Sequence, residues 1–229
     1  MTHIAYFGAI TAMAIGAAPV MAGDTTPVDW SQLPDPSVQQ YEDPYRDLAP
    51  QQMSDLMALV RLREQLEHEG PDAGERMQQE ARTAELEAAL RAADIDVEWL
   101  LSQRWAVADR RRLAAVTANG ALDGQSVEIA GFLVLAPPSA TGEASGYVLP
   151  DRGVCNHLPP PPPNRLVRLL MKSMPKIAGS CVPVTVRGTL RAEETRHEVV
   201  LIDHSVPMWS AWSLTTDDVR KVDMPAFDQ

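Results

Sequence analysis

Apolar residues between positions 51 and 70 follow a helical period. Met53, Leu56, Leu59 and Val60 recur at steps of three and four residues, which is the spacing of one face of an α-helix. The dipeptide Gly70-Pro71 then interrupts the pattern, because proline cannot continue a helix. This stretch predicts a first helix that buries one face.

The next two stretches also predict helices. Residues 72–92 are rich in Ala, Glu, Gln and Arg, which favour helix, but contain few large apolar side chains, so this middle helix should be mostly exposed. A third run begins at Asp96, a typical N-cap, and ends at Asn119-Gly120, a typical C-cap. Residues 51–119 therefore predict a helical hairpin or three-helix appendage.

After Gly120 the apolar period shortens to two. Following a turn at 122–125, Val127, Ile129 and Leu133 alternate with Phe132 and Val134, as in a strand with one buried face. Further short strands are predicted at 147–149, 182–186 and 198–203. The fold class expected is α+β, with a small antiparallel OB-like β-barrel in residues 120–229 preceded by the helical appendage.

The last part of the chain combines two tryptophans with a helix signal. Trp209 and Trp212 are three residues apart, and Thr216 would cap a short helix running through Val222. The two indoles are expected to plug one end of the barrel. The alternative is a site on which a sugar or peptide stacks.

Two N-terminal segments precede the helices. Residues 4–20 carry no charge, and Val20-Met21-Ala22 matches a signal-peptidase site, so residues 1–22 are predicted to be a signal peptide. The mature protein would be periplasmic or secreted; an uncleaved membrane anchor is the alternative. Residues 23–50 contain five prolines and predict an extended arm, either docked through Trp30 and Leu33 or flexible.

Composition and charge narrow the classes of partner. With 229 residues and 45% hydrophobic content, the chain can form a substantial core. A net charge of -11 argues against a nucleic-acid partner, since phosphate binding needs concentrated Lys and Arg. The run Arg110-Arg111-Arg112 is interpreted as a solvated face near the end of a helix.

The most unusual stretch runs from Gly153 to Arg165. A thiol and an imidazole, Cys155 and His157, stand two residues apart, before five prolines. Proline fixes φ and lacks an N–H donor, so the run predicts a stiff polyproline II rod that covers an edge or crosses the barrel mouth. The expected partner-binding residues are Cys155, His157, Pro159, Pro160, Pro161, Pro162, Pro163, Asn164 and Arg165, with His157 and Asn164 as exposed polar groups.

Three kinds of chemistry are open to Cys155 and His157. On an extended segment the two side chains would share a face and a zinc ion, with His204, Asp203, His197 or Cys181 completing the ligands. Alternatively, Cys155 and Cys181 form a disulfide, which is common in exported proteins and is preferred here because no spacing specifies a third ligand. A Cys155 nucleophile with His157 as its base is a third reading.

Several of these stretches resemble a family of exported bacterial proteins of unknown function. The similarity lies in residues 122–132, 153–164 and 184–190, and in the motif Gly-x-Cys-x-His-x-Pro-Pro-Pro-Pro-Pro-Asn; the segment from Asp29 to Leu33 resembles the family's N-terminal Trp element. Relatives tend to accompany ABC-type transporters, some linked to zinc supply. The resemblance therefore implies an accessory role in the envelope.

A basic cluster follows the prolines. If helical, Arg165, Arg168, Lys172 and Lys176 would form a stripe suited to anionic lipid, that is, a peripheral membrane contact, or to an acidic partner. The resemblance implies instead that residues 165–170 form a strand, which would divide these charges between two faces. The strand is the preferred interpretation.

Together these patterns predict an exported, non-enzymatic binding or accessory protein. It would need no cofactor, bind no nucleic acid, and contact an envelope protein such as an ABC-type transporter. The alternative functions are a zinc-binding protein or a thiol enzyme using Cys155 and His157.

Overall fold

The computed structural model describes residues 25–67, 72–136, 144–156, 158–179, 181–200 and 205–222, without the side chains of Cys155, Asn156 and Asp217. The predicted signal peptide and the Gly70-Pro71 helix stop lie outside these residues. No helix within them combines the length and apolar character needed to cross a membrane.

The helical part contains the three predicted helices, α1 (Pro50–Glu67), α2 (Ala73–Ala92) and α3 (Val97–Val116). Aspartates cap two of them: Asp72 accepts hydrogen bonds from the backbone at the start of α2, and Asp96 accepts one from Trp99 N at 3.0 Å. The helices share a small core, and α2 is otherwise exposed, as expected. The core residues are Leu56, Leu59, Leu86, Leu90 and Leu100.

The predicted end of α3 is wrong by a few residues. The helix ends at Val116 with Thr117 as its C-cap, and Asn119 instead caps a short 3₁₀ helix, Gly120–Leu122. Asn119 is held away from the helix because its N–H donates to Leu33 O and its side-chain amide donates to Gln32 O. Contacts with the N-terminal arm therefore override the local C-cap signal.

The strands form one sheet. They are β1 (Thr26–Pro27), β2 (Ser126–Leu135), β3 (Ala144–Leu149), β4 (Val167–Met171), β5 (Val182–Val200) and β6 (Ser205–Lys221). The order is β1-β2-β3-β4-β6-β5, and β5 pairs again with β2, so the pairings from β2 to β5 form a closed ring. In this ring β4 and β6 are parallel and the other neighbours are antiparallel. The mixed α+β class, with helices before the sheet, is confirmed.

Two apolar clusters stabilise the sheet. The larger includes the buried side chains of Ile129, Leu169 and Trp212, and confirms the period-two pattern predicted for β2. The smaller joins Val154 and Cys181 with β3, the ends of β5 and β6, and Leu166. The second cluster thus includes the residue that precedes Cys155.

The C-terminal part of the sheet differs from the prediction. Residues 182–186 belong to one long strand, β5, that reaches Val200, and residues 201–204 lie outside the described residues. The predicted helix from Thr216 is part of β6, which pairs with β5 from Val200↔Ser205 to Val184↔Lys221. The Thr216 hydroxyl donates to Arg187 O across the strands, so this residue stabilises the sheet and caps no helix.

The N-terminal arm is docked. Leu33 is fully buried, and the Trp30 indole N–H donates to Ala130 O at 2.7 Å. Regular structure was not expected here, yet three short 3₁₀ helices follow one another at Trp30–Gln32, Pro36–Val38 and Pro44–Asp47. Each is capped by an aspartate side chain that accepts a backbone N–H, a local interaction typical of Asp.

Candidate functional site

The Cys-x-His stretch begins with a tight turn. Residues Gly153–Asn156 form a 3₁₀ helix; Asp151 Oδ1 accepts from Gly153 N at 2.7 Å, and Leu158 N–H donates to Gly153 O at 2.9 Å. Val154 is buried in the second cluster. The backbone at Cys155 is therefore helical, and not part of the extended segment that was expected to begin there.

Residues 158–162, here called the proline segment, cross the surface after this turn. Leu158 is 61% exposed, and Pro159 and Pro162 are exposed as well. Pro162 has φ -53° and ψ 148°, close to polyproline II geometry. The segment then enters a 3₁₀ helix, Pro163–Arg165, that leads directly into β4.

Asn164 fixes the C-terminal end of the proline segment. Its side chain is 1% exposed, and its amide nitrogen donates to Ala114 O at 2.8 Å and to Thr117 O at 3.0 Å. Both carbonyls lie at the C-terminal end of α3, where helix carbonyls lack intrahelical donors. The amide therefore joins the proline segment to the helical part of the molecule.

The expectation that Asn164 is an exposed, partner-binding group is therefore wrong. Its amide is used internally, and Pro163 is buried beside it. Arg165, by contrast, is exposed. His157, the other predicted polar group, lies outside the described residues.

The basic cluster does not form a stripe. Residues Val167–Met171 are a strand in which Val167, Leu169 and Met171 are buried and Arg168 is on the opposite face. The strand interpretation is confirmed, and the amphipathic helix suited to anionic lipid is not formed.

The two cysteines are placed differently. Cys181 is 2% exposed in the second cluster, which also contains Val154, and no described cysteine is a free thiol. Its φ of 52° is in the left-handed region, which is rare for residues other than glycine. Because the side chain of Cys155 lies outside the described residues, the bond between the two cysteines stays a prediction.

The zinc hypothesis is not tested by the described residues. Among them, no group of three His, Cys, Asp or Glu side chains could hold a metal ion, but His157, Asp203 and His204 lie outside. His197 is described and lies on β5; desolvation and then the charge of Arg168 lower its pKa. A neighbouring guanidinium also makes this imidazole a poor ligand for a cation.

The two tryptophans of β6 have separate environments. Trp212 is fully buried in the larger cluster, so it cannot stack on a ligand. Trp209 is half-buried, with the Arg196 guanidinium 4.0 Å from its ring centroid and its indole N–H donating to Glu194 at 3.0 Å. Both indoles lie in strand β6.

Sequence reasoning missed a role for Arg111. Its guanidinium forms a bidentate pair with Asp43, at 2.8 and 2.9 Å, and the Asp43 side chain is fully buried. These hydrogen bonds hold the pKa of Asp43 below its usual value. The run Arg110-Arg111-Arg112 is thus not simply a solvated face, because Arg110 also donates to Glu42 O.

Comparison with known proteins identifies the family. Residues 45–221 match the model of a family described as "Protein of unknown function (DUF3299)". The match spans more than half of the chain, so the chain belongs to the DUF3299 family. The expected membership of a family of unknown function is confirmed; that the Cys-x-His-proline motif marks the family stays a prediction.

A solved structure is also similar. It is the crystal structure of a DUF3299 family protein from Pseudomonas aeruginosa PAO1, with 22% sequence identity and a TM-score of 0.37. The similar region covers 48% of this chain and 68% of that chain. No curated protein matches the chain.

Proposed function

We propose that the protein is an exported, non-enzymatic binding protein whose proline segment contacts a protein of the cell envelope. One observation carries this proposal: the segment is fixed at both ends, and Leu158, Pro159 and Pro162 are exposed between them. Val154 and the Leu158 N–H hold the first end, and Asn164 holds the second. The apolar side chain of Leu158 is 61% exposed.

Such a segment suits recognition by another protein. Prolines have no N–H donor and few conformations to lose, so a fixed proline rod binds with a small entropic cost. Partner proteins recognise such rods in aromatic-lined grooves. The expected partner surface is therefore an aromatic groove that accepts Leu158 and the neighbouring proline rings.

The ring of strands supports the finer interpretation of an OB-like barrel. Five strands pair in a closed order with one parallel neighbour pair, and the larger cluster lies between them. Closed pairing removes free sheet edges, which is how small antiparallel barrels avoid edge association. In this interpretation the barrel is the rigid body that positions the proline segment.

The disulfide between Cys155 and Cys181 belongs to the same proposal. Val154 and Cys181 lie in one cluster, which brings the backbone at 155 to the region of Cys181. A left-handed φ at a buried non-glycine residue persists where its surroundings fix it. The bond would tie the start of the proline segment to β5 and would exclude Cys155 as a zinc ligand or nucleophile.

Site-specific crosslinking in cells tests the proposed contact. A photoreactive benzoylphenylalanine at position 158 should crosslink to one envelope protein, which mass spectrometry identifies; an ABC-type transporter component is the partner implied by the family resemblance. The same group at Met174, which is 40% exposed outside the proline segment, is the control. Release of the mature protein by osmotic shock tests export separately.

Two results would count against this function. Equal crosslinking from positions 158 and 174 would show that the proline segment has no special contact. If the protein were instead retained in the cytoplasm, it could not contact a protein of the cell envelope in the proposed way.

A further inference from the structure

A second concave surface lies between α1 and α3, apart from the proline segment. It encloses about 570 Å³. The buried side chains of Leu56 and Val107 form its floor, and Met53, Met57 and Val60 form an apolar wall on α1. Methionine side chains adapt to ligands of varied shape.

The charged residues of this groove have one sign. Arg61, Arg104 and Arg111 line it, and no carboxylate does among the described lining residues. Arg111 is neutralised by Asp43. Within the described part of the chain, neither Arg61 nor Arg104 forms an ion pair with a carboxylate, although the whole chain has a net charge of -11. The Arg104 guanidinium lies 4.8 Å from the ring centroid of Trp105, which leaves its charge without a counterion. The groove thus offers two uncompensated guanidinium groups beside an apolar surface.

The sequence places these groups on one helix face. Leu101, Arg104, Ala108 and Arg111 follow at steps of three, four and three, which is the spacing of a single face of α3. Arg104 and Arg111 both lie near the Tyr45 ring, whose hydroxyl donates to Leu100 O at 2.5 Å. This spacing was the signal in the sequence that could have located the groove.

We propose that the groove binds a single-chain anionic amphiphile, of which a fatty acid is the simplest example. Its tail would lie along the methionines of α1, and its anionic head would pair with Arg61 and Arg104. Arginine is the preferred partner of carboxylate and phosphate groups because its donors match their geometry. The ligand is thus defined by an apolar body and a negative head.

The volume of the groove is that of a site for a small ligand. Sites for small ligands typically enclose about 300 to 1,000 Å³, and the groove lies in this range. Together with the apolar wall and the two arginines, this size favours a small amphiphile over an uncharged apolar ligand.

Calorimetric titration of the full chain with dodecanoate, below its micellar concentration, tests the proposal. Dodecyltrimethylammonium has the same tail and the opposite charge, and acetate has the head without a tail. Saturable binding of dodecanoate near one equivalent is expected, with at least tenfold weaker binding of both comparators. Equal binding of the two amphiphiles would overturn the proposal.

Variants locate the site. Arg104→Gln should weaken dodecanoate binding about tenfold, and Arg104→Glu should weaken it more than tenfold. Arg82→Glu, on α2 outside the groove, should change the binding less than twofold. Circular dichroism confirms that each variant is folded. Unchanged binding in both Arg104 variants would overturn the proposal. The proposal would also be overturned if dodecanoate did not bind and the protein formed dimers that Arg104→Glu dissociates. In that case the groove would be an interface between two copies of the chain.

Discussion

At the residue scale, the amide of Asn164 connects two parts of the chain that are far apart in sequence. It is buried and donates to two carbonyls at the end of α3. Asn164→Ala would remove one donor from each carbonyl, which keeps its second donor from the N-terminal arm, and each hydrogen bond lost contributes about 0.5 to 1.5 kcal/mol. We expect the free energy of unfolding, measured in urea, to fall by about 1 to 3 kcal/mol.

A matched control separates this effect from the loss of any amide. Gln125→Ala removes an amide from an exposed side chain and should change the free energy of unfolding by less than about 0.5 kcal/mol. If Asn164→Ala were equally mild, Asn164 would not hold the proline segment against α3.

The ion pair of Asp43 and Arg111 predicts a pH dependence. Hydrogen bonds from Arg111 lower the pKa of Asp43 below its usual 3.8. A depressed folded-state pKa stabilises the fold at pH above the unfolded value, and this contribution is lost as the pH falls through the folded value. Asp43→Asn should therefore cost about 1 to 2 kcal/mol at pH 7, and the difference from wild type should narrow below pH 3.8.

Urea unfolding between pH 7 and pH 3 measures this difference. Asp109→Asn is the control, because the contact between Asp109 and Arg112 is 3.7 Å long and exposed on both sides. Its cost should stay under about 0.5 kcal/mol at every pH. A pH-independent cost for Asp43→Asn would contradict a role for the carboxylate charge.

At the scale of elements, β5 and β6 approach closely at Gly188. A methyl group added there would lie 2.2 Å from Thr215 O and 2.8 Å from a Leu214 methyl group. Because the ladder shifts its register next to this residue, the strands cannot separate without breaking pairs. Gly188→Ala should lower the free energy of unfolding by about 2 to 3 kcal/mol.

Gly120→Ala is the corresponding control. A methyl group at Gly120 would meet no atom within 4 Å. The free energy of unfolding, measured by heat or urea, should therefore change by less than about 0.5 kcal/mol. Similar losses in both variants would show that backbone flexibility, and not the contact between β5 and β6, explains the effect.

The elements that the sequence predicts well are those with a clear apolar period. Each helix has one buried face, and in β2 the residues Val127, Ile129 and Leu133 share the face buried in the larger cluster, so the positions of these elements follow from those faces. The sequence does not predict the middle of β5, because residues 191–198 are exposed except Thr195 and no alternation marks them. Pairing between distant segments, not local preference, makes this region a strand.

The candidate site, too, is predicted only in part from the local sequence. A proline rod follows from covalent geometry, and an exposed Leu158 is consistent with it. The burial of Asn164 does not follow from its neighbours in sequence, because its acceptors lie in α3 about fifty residues earlier. A polar residue beside prolines is typical of a surface loop, and only the fold shows that this one is internal.

At the scale of the whole molecule, the end of α3 is where three parts meet. Gln39 of the arm donates to Ala114 O at 2.9 Å, Asp35 N–H donates to Thr117 O at 3.1 Å, and Asn164 donates to the same two carbonyls. Carbonyls at a helix end need such donors. The arm, the helices and the proline segment are therefore held at one junction, so changes at the segment can reach α3.

The proposed disulfide adds a second tether to this arrangement. A bond between Cys155 and Cys181 would close a loop of about 26 residues that contains the proline segment, and in the chain-entropy model it would contribute about 3.5 kcal/mol. Thiol titration of the denatured, non-reduced protein should find no free thiol. Reduction should lower the midpoint of thermal unfolding, and Cys155→Ser should lower it to the same value without further change on reduction. The metal content of the same sample should be measured as well. Two free thiols together with one equivalent of zinc would show a metal site in place of the disulfide. The start of the proline segment would then be held by a zinc ion.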